Sequence, residues 1–231
     1  MISHAPHVRG SMASRSSRVA LMIALVALCS VAPAIARAAP VPSPANCTIP
    51  SHVVLVGRDA SGAADPLGSI TLVIRKLTNE PIAQASISID FHNTEDMQPS
   101  LVQPDPSVTV FCGGGKAIVR AFTDNNGQAT IRIVGRAFHS VPGGAQAPTL
   151  DVFANGVLLG TVPVSAFDQD GGGGVNPADE SLFFADFFSG QYWARSDFDG
   201  NGALGPNDLS LWEQAFFASN SVQSGGASAC P

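Results

Sequence analysis

Charge is scarce in this chain. Only 13% of its 231 residues are Asp, Glu, Lys or Arg, too few for an acidic or basic disordered tail to form its main body. There is no G-x-S-x-G nucleophile elbow. His52, His92 and His139 stand apart, without the spacing of a zinc site. "CGGGKA" around Lys116 lacks the leading Gly of a phosphate loop, and Ala117 occupies the place of its magnesium-binding hydroxyl. Glu95-Asp96 lies between Asn93 and Pro99 and reads as a solvated loop, not a glycosidase acid/base pair. No convergent acids and no nucleophile emerge from residues 39–165, which points away from an enzyme.

What is abundant is equally directional. The chain has 23 Gly, 17 Pro and 13 Phe against a single Tyr, and 45% of it is apolar. That composition suits one or two globular modules made of turns and short strands. Residues 1–38 read as a signal peptide. Arg9, Arg15 and Arg18 precede the apolar run "VALMIALVAL", and Ala36-Arg37-Ala38 offers a small-x-small cleavage site. The run is too short for a stable membrane anchor, so the expected mature chain starts at Ala39 and is secreted or cell-surface. It keeps eight basic and eighteen acidic residues, a net charge of −10. That balance disfavours nucleic acid and anionic membranes as partners and suits bound cations. Export permits disulfides. Cys47 and Cys112 each border a strand-like segment and are the expected pair, with Cys230 free or intermolecular.

After a Pro-rich leader at 39–50, residues 51–165 carry eight short β-branched segments separated by turn signals. "ASISID" and "ATIRIV" alternate like strands with one buried face. Asn155-Gly156 predicts a two-residue type I′ hairpin. The expected architecture is an antiparallel β-sandwich. "NEPIAQASISIDF" followed by "AFTDNNGQATIRI" resembles the bacterial Ig-like modules of the invasin and intimin type. That resemblance implies a spacer, adhesive or presentation role.

Beyond Ser165 the pattern changes to Asp/Gly loops followed by helical spacing, and it occurs twice. A shift of 29 residues carries Asp168, Asp170, Asp179, Leu182, Phe183, Phe187 and Phe188 onto Asp197, Asp199, Asp208, Leu211, Trp212, Phe216 and Phe217. A twelve-residue calcium loop takes oxygens from positions 1, 3 and 5, a carbonyl at 7, a water or side chain at 9 and an acid at 12, with Gly at 6 for the turn. The second loop supplies Asp197, Asp199, Asn201, the Ala203 carbonyl and Asp208, with Gly202 at position 6. The first supplies Asp168, Asp170, the Gly174 carbonyl, Asn176 and Asp179, with Gly173 at position 6. Gly172 occupies position 5, so the first loop lacks one oxygen and is the weaker of two expected calcium sites.

This duplicated loop-then-helix unit, with Asp at position 12 and no entering helix, resembles the type I dockerin module over residues 168–220. The resemblance implies two bound calcium ions and docking onto a cohesin-like or other extracellular protein, often in polysaccharide-degrading assemblies. Docking specificity in that family lies at loop positions 10 and 11, here Pro177-Ala178 and Pro206-Asn207, which lack the usual hydroxyl pair. The expected organisation is signal peptide 1–38, leader 39–50, Ig-like sandwich 51–165, dockerin-like module 166–220 and flexible tail 221–231. The expected role is non-catalytic, with calcium ordering a docking surface. A tethered carbohydrate-active protein and a structural surface protein are the alternatives.

Overall fold

A computed structural model of the chain describes residues 39–94, 96–137, 148–219 and 230. The expected signal peptide and its cleavage site, Glu95, His139 and nearly all of the tail lie outside the described residues. The described chain is mainly β, with ten strands and two α-helices.

The strands are β1 (Val53–Val56), β2 (Ile70–Val73), β3 (Ser86–Asp90), β4 (Met97–Pro99), β5 (Thr109–Gly113), β6 (Lys116–Phe122), β7 (Gln128–Ile131), β8 (Ile133–Ala137), β9 (Thr149–Ala154) and β10 (Val157–Ala166). Eight of them form one sheet in the order β4-β8-β1-β10-β9-β3-β6-β5, while β2 and β7 pair separately. The β9–β10 hairpin turns at Asn155 and Gly156, whose φ angles of 46° and 80° are those a type I′ turn demands.

The sheet departs from the expected antiparallel arrangement at β1, which runs parallel to both β8 and β10. Its sequence, "VVLV", is buried throughout, as befits a strand covered on both faces. Val53 and Leu55 join the main core with Leu72, Ile87, Ile89, Val119 and Val152. Val54 and Val56 face a second core with Phe167, Val175, Phe183, Phe198 and Trp212. The segment "QATIRIVG" also breaks in two at Arg132. Its first half pairs with β2 and its second with β1 and β4.

The two helices, α1 (Pro177–Phe188) and α2 (Pro206–Ser219), begin at the two prolines, where the missing N–H costs nothing. Gly190 follows α1 at φ 70°, a left-handed stop. Their inner faces place Phe183, Trp212 and Ala215 in the second core. Phe183 stacks on Phe198, and Trp212 stacks on Phe216. None of the helices among the described residues is long and apolar enough to cross a membrane.

The cysteine pairing expected from sequence is corrected. Cys112 is bonded to Cys230, with Cα atoms 5.3 Å apart, and Cys47 is free. The leader explains why. It hydrogen-bonds to β2 through Thr48 and Val73, and Cys47 Sγ accepts from the Arg75 N–H at 3.3 Å. Cys112 instead lies on β5, the far edge of the larger sheet. Each cysteine borders a strand, but the strands belong to different sheets.

Candidate metal centre

Both loops gather their carboxylates as their spacing predicts. The oxygens of Asp168, Asp170 and Asp179 lie within 4.8 Å of one another, and so do those of Asp197, Asp199 and Asp208. The first and twelfth positions are buried in both loops, whereas the third is exposed. Glycines at positions 4 and 6 make this possible. Gly171, Gly173, Gly200 and Gly202 all have φ between 67° and 86°, a region closed to most side chains.

The position-12 acids are held alike. Asp179 Oδ1 accepts from the N–H groups of Gln169 and Asp170 at 2.7 and 2.9 Å, and its Oδ2 from Asn176 at 2.8 Å. Asp208 Oδ1 accepts from Phe198 and Asp199 at 2.7 and 3.1 Å, and its Oδ2 from Gly205 at 2.8 Å. Each donor is 29 residues from its counterpart. In the first turn of its helix, each carboxylate also favours the helix N-terminus. Burial nevertheless pushes the Asp179 carboxyl up to about 7, against those N–H groups and with help from the charges of Asp168 and Asp170. Burial raises Asp208 as well, and the charge of Asp199 adds to the effect.

The amide side chains are engaged inside their loops. Asn176 Oδ1 caps α1 by accepting from Ala178 N at 2.9 Å, while its Nδ2 donates to the Gly172 and Gly174 carbonyls. Asn201 Oδ1 accepts from Ala203 N at 2.9 Å and its Nδ2 donates to Asp199 Oδ2 at 2.8 Å. Pro177, Ala178, Pro206 and Asn207 are all exposed at the helix starts.

Three neighbours escaped sequence reasoning, because they come from distant strands or an unpatterned connection. Tyr192 OH donates to Asp197 Oδ2 at 2.8 Å. Arg136 of β8 donates from Nη1 to the Gly171 carbonyl at 2.5 Å, putting a cation beside the first loop. At the corresponding place in the second loop, Gly200 lies against His52, whose Cβ would be 2.5 Å from any Cβ added there. Burial holds the His52 imidazole down to about 4, although Asp197 and Asp199 pull it upward. It is therefore neutral near pH 7, and its Nε2 is 2.9 Å from Ser165 Oγ.

Behind the loops is a buried polar relay, also unforeseen. Arg195 donates to both oxygens of Asp186 at 2.6 and 2.8 Å, Ser196 Oγ donates to Asp186 at 2.7 Å, and Gln169 Nε2 donates to Ser196 Oγ at 2.7 Å. It fastens α1 to the stretch between the two loops.

The donor set is entirely oxygen: carboxylates, amides and carbonyls. That suits a hard cation, and calcium–oxygen distances of about 2.3–2.6 Å are compatible with oxygens spread over 4.8 Å. Neither loop supplies the imidazole or thiolate that zinc would favour. Comparison of the chain with protein-family models, curated proteins and solved structures finds no match.

Proposed function

We propose that the two loops bind calcium and that the cations order α1 and α2 into a docking surface for an extracellular protein, with the β-rich part as an Ig-like spacer or binding domain. The observation carrying this reading is the pair of equivalent acid clusters, each burying its first and twelfth carboxylates, the twelfth in the first turn of a helix. Burying like charges is costly without a counter-charge, and neither Asp179 nor Asp208 meets a cationic side chain among the described residues. The dockerin-like spacing supports assembly as the role. The exposed prolines at loop position 10, with Ala178 and Asn207 beside them, are where a partner would be selected. The reading is of a secreted, non-catalytic protein.

The second loop should fill first. Asn201 gives it a position-5 side chain, and its neighbour His52 is neutral. The first loop has Gly172 at that position and Arg136 alongside. Calorimetric titration of the mature chain with calcium tests this. Two binding events are expected, and Asp208→Ala should weaken the tighter one by more than about a hundredfold. It removes a ligand and three charge-assisted hydrogen bonds, each worth roughly 1.5–3 kcal/mol. Asp179→Ala should spare the tighter event. Absence of any calcium-dependent heat at millimolar calcium would defeat the metal-binding reading.

Gly172→Asn should tighten the first loop. Gly172 does not have positive φ, and an added Cβ would find nothing nearer than 3.4 Å. The new amide supplies the missing oxygen, and removing glycine's excess freedom contributes about 0.5–1 kcal/mol. Roughly five- to tenfold stronger binding at this loop alone is the expected calorimetric result.

The pH dependence has a definite sign. In metal-free protein the folded chain holds the Asp179 proton up to about 7, whereas an unfolded Asp releases it near 3.8. The folded state therefore binds more protons between those values, and its stability falls as pH rises through that window. Calcium competes with the same proton, so its stabilising effect grows over the same range. Urea midpoints at pH 4.5 and 7, each with calcium and with chelator, should move in these opposite directions.

A further inference from the structure

The two loops exchange contacts reciprocally. The residue at position 2 of each meets the residue that immediately precedes the other. Gln169, position 2 of the first loop, donates from Nε2 to Ser196 Oγ at 2.7 Å, and Ser196 adjoins Asp197, position 1 of the second loop. Phe198, position 2 of the second loop, has its ring centroid 4.8 Å from that of Phe167, which adjoins Asp168, position 1 of the first loop. The 29-residue shift that relates the loops carries Gln169 onto Phe198 and Phe167 onto Ser196. One contact is therefore the repeat of the other, polar in one copy and aromatic in the other. All four residues are buried.

Position 2 is also where each loop holds its own acid. The Gln169 N–H donates to Asp179 Oδ1 and the Phe198 N–H to Asp208 Oδ1, both at 2.7 Å. Each position-2 residue thus has its backbone on the position-12 acid of its own loop and its side chain on the threshold of the other. On the polar side the connection is fixed further. Ser196 Oγ donates onward to Asp186, which Arg195 grips through both carboxylate oxygens. The link has a cost. Gln169 Oε1 is buried without a hydrogen-bond partner among the described residues, and an unmatched buried acceptor is destabilising. An apolar side chain, such as its counterpart Phe198 has, would avoid that cost. What the amide supplies in return is the directional bond to Ser196.

We infer that the two loops form one cooperative unit, in which a cation closing the second loop raises the affinity of the first through the Gln169–Ser196 and Phe198–Phe167 contacts. This coupling rests on the calcium reading and regulates the same two sites. Closing a loop around a cation fixes its position-2 backbone and, through that residue's side chain, the entry to the other loop. The second cation then meets a loop whose ordering is partly complete, which is the condition for positive coupling. Coupling between sites commonly amounts to about 5- to 150-fold in affinity. Two short contacts place this pair near the lower end of that range, at about tenfold.

A cycle of calorimetric calcium titrations on the mature chain tests this. The first loop is measured with the second filled, as the later event of the unaltered chain, and with the second empty, in Asp208→Ala. Binding at the first loop should be about tenfold weaker in Asp208→Ala. Gln169→Met removes the amide while keeping the side chain's length and the backbone N–H. It should weaken the first loop at least about threefold when the second is filled, and leave it unchanged in the Asp208→Ala background. A role confined to the first loop would give the same loss in both backgrounds and would overturn the inference. Ser196→Ala breaks the same bond from outside the first loop and should reproduce the pattern, so the cycle stands if either variant keeps the circular dichroism of the unaltered chain. Equal first-loop affinity in the unaltered chain and in Asp208→Ala would sink the coupling while leaving two calcium sites in place. Absence of any calcium heat would remove the calcium reading itself, and the coupling with it.

Discussion

Chelation of the mature chain is expected to lower its melting temperature by more than 10 °C and to abolish the near-ultraviolet signal of Trp212. The clusters explain the size of this effect. Asp168, Asp179, Asp197 and Asp208 are each no more than 1% exposed, and in each loop a third acid stands close by. Without a cation, each helix start must bury mutually repelling carboxylates or open to water. A site held at 1,000 times its Kd contributes about 4 kcal/mol, and two such sites exceed half the stability of an ordinary domain. Trp212 reports the event because it is 2% exposed and its Nε1 donates to the Phe167 carbonyl at 3.3 Å. Loss of helical circular dichroism should accompany a red shift of its emission, and both should return with added calcium. Identical melting curves in calcium and chelator would sink the coupling of cation to fold.

Removing the Cys112–Cys230 bond should have a comparable effect. The bridge spans 118 residues of sequence. Closing a loop that long restricts the unfolded chain by about 4–5 kcal/mol in the chain-entropy model. For a chain of this size that corresponds to about 10–20 °C in melting temperature. Cys112→Ala with Cys230→Ala should show this loss, whereas Cys47→Ser should change little, since its sulfur makes only weak bonds, accepting from the Arg75 N–H and donating to the Arg75 carbonyl. Non-reducing peptide mapping supplies the direct check. A peptide joining Cys47 to Cys112 would restore the pairing expected from sequence and refute the one described.

The helical half was legible because its information is local. Ligand spacing, Pro at the helix start, Gly at the turn and the 29-residue repeat are all written within a dozen residues of one another. The helices accordingly begin at Pro177 and Pro206, position 10 of each loop. The Asn155-Gly156 hairpin was legible for the same reason. Strand partnership was not. "VVLV" looks the same whether its neighbours run parallel or antiparallel, and nothing in "QATIRIVG" announces that Arg132 divides it between two sheets. β4 went unforeseen because Met97–Pro99 is too short to show a period. The disulfide was misjudged because sequence places cysteines relative to strands but does not order strands within a sheet. Tyr192, Arg136 and His52 reach the acid loops through tertiary packing, and no spacing rule connects them.

β1 has a consequence for how this protein could be cut and rejoined. Alternate side chains of a single four-residue strand serve two cores, Val53 and Leu55 on one side, Val54 and Val56 on the other. The loop-helix repeat thus acts as a lid for the sheet as well as a cargo carried by it. A truncation after Ser165 would bare Val54, Val56 and Val134 to water, and the released fragment would lack the wall against which Phe183 and Trp212 rest. Grafted onto an unrelated host, the repeat would need a substitute for that valine wall. Transplantation trials should therefore carry β1 and β8 along with the loops, and shorter grafts should aggregate.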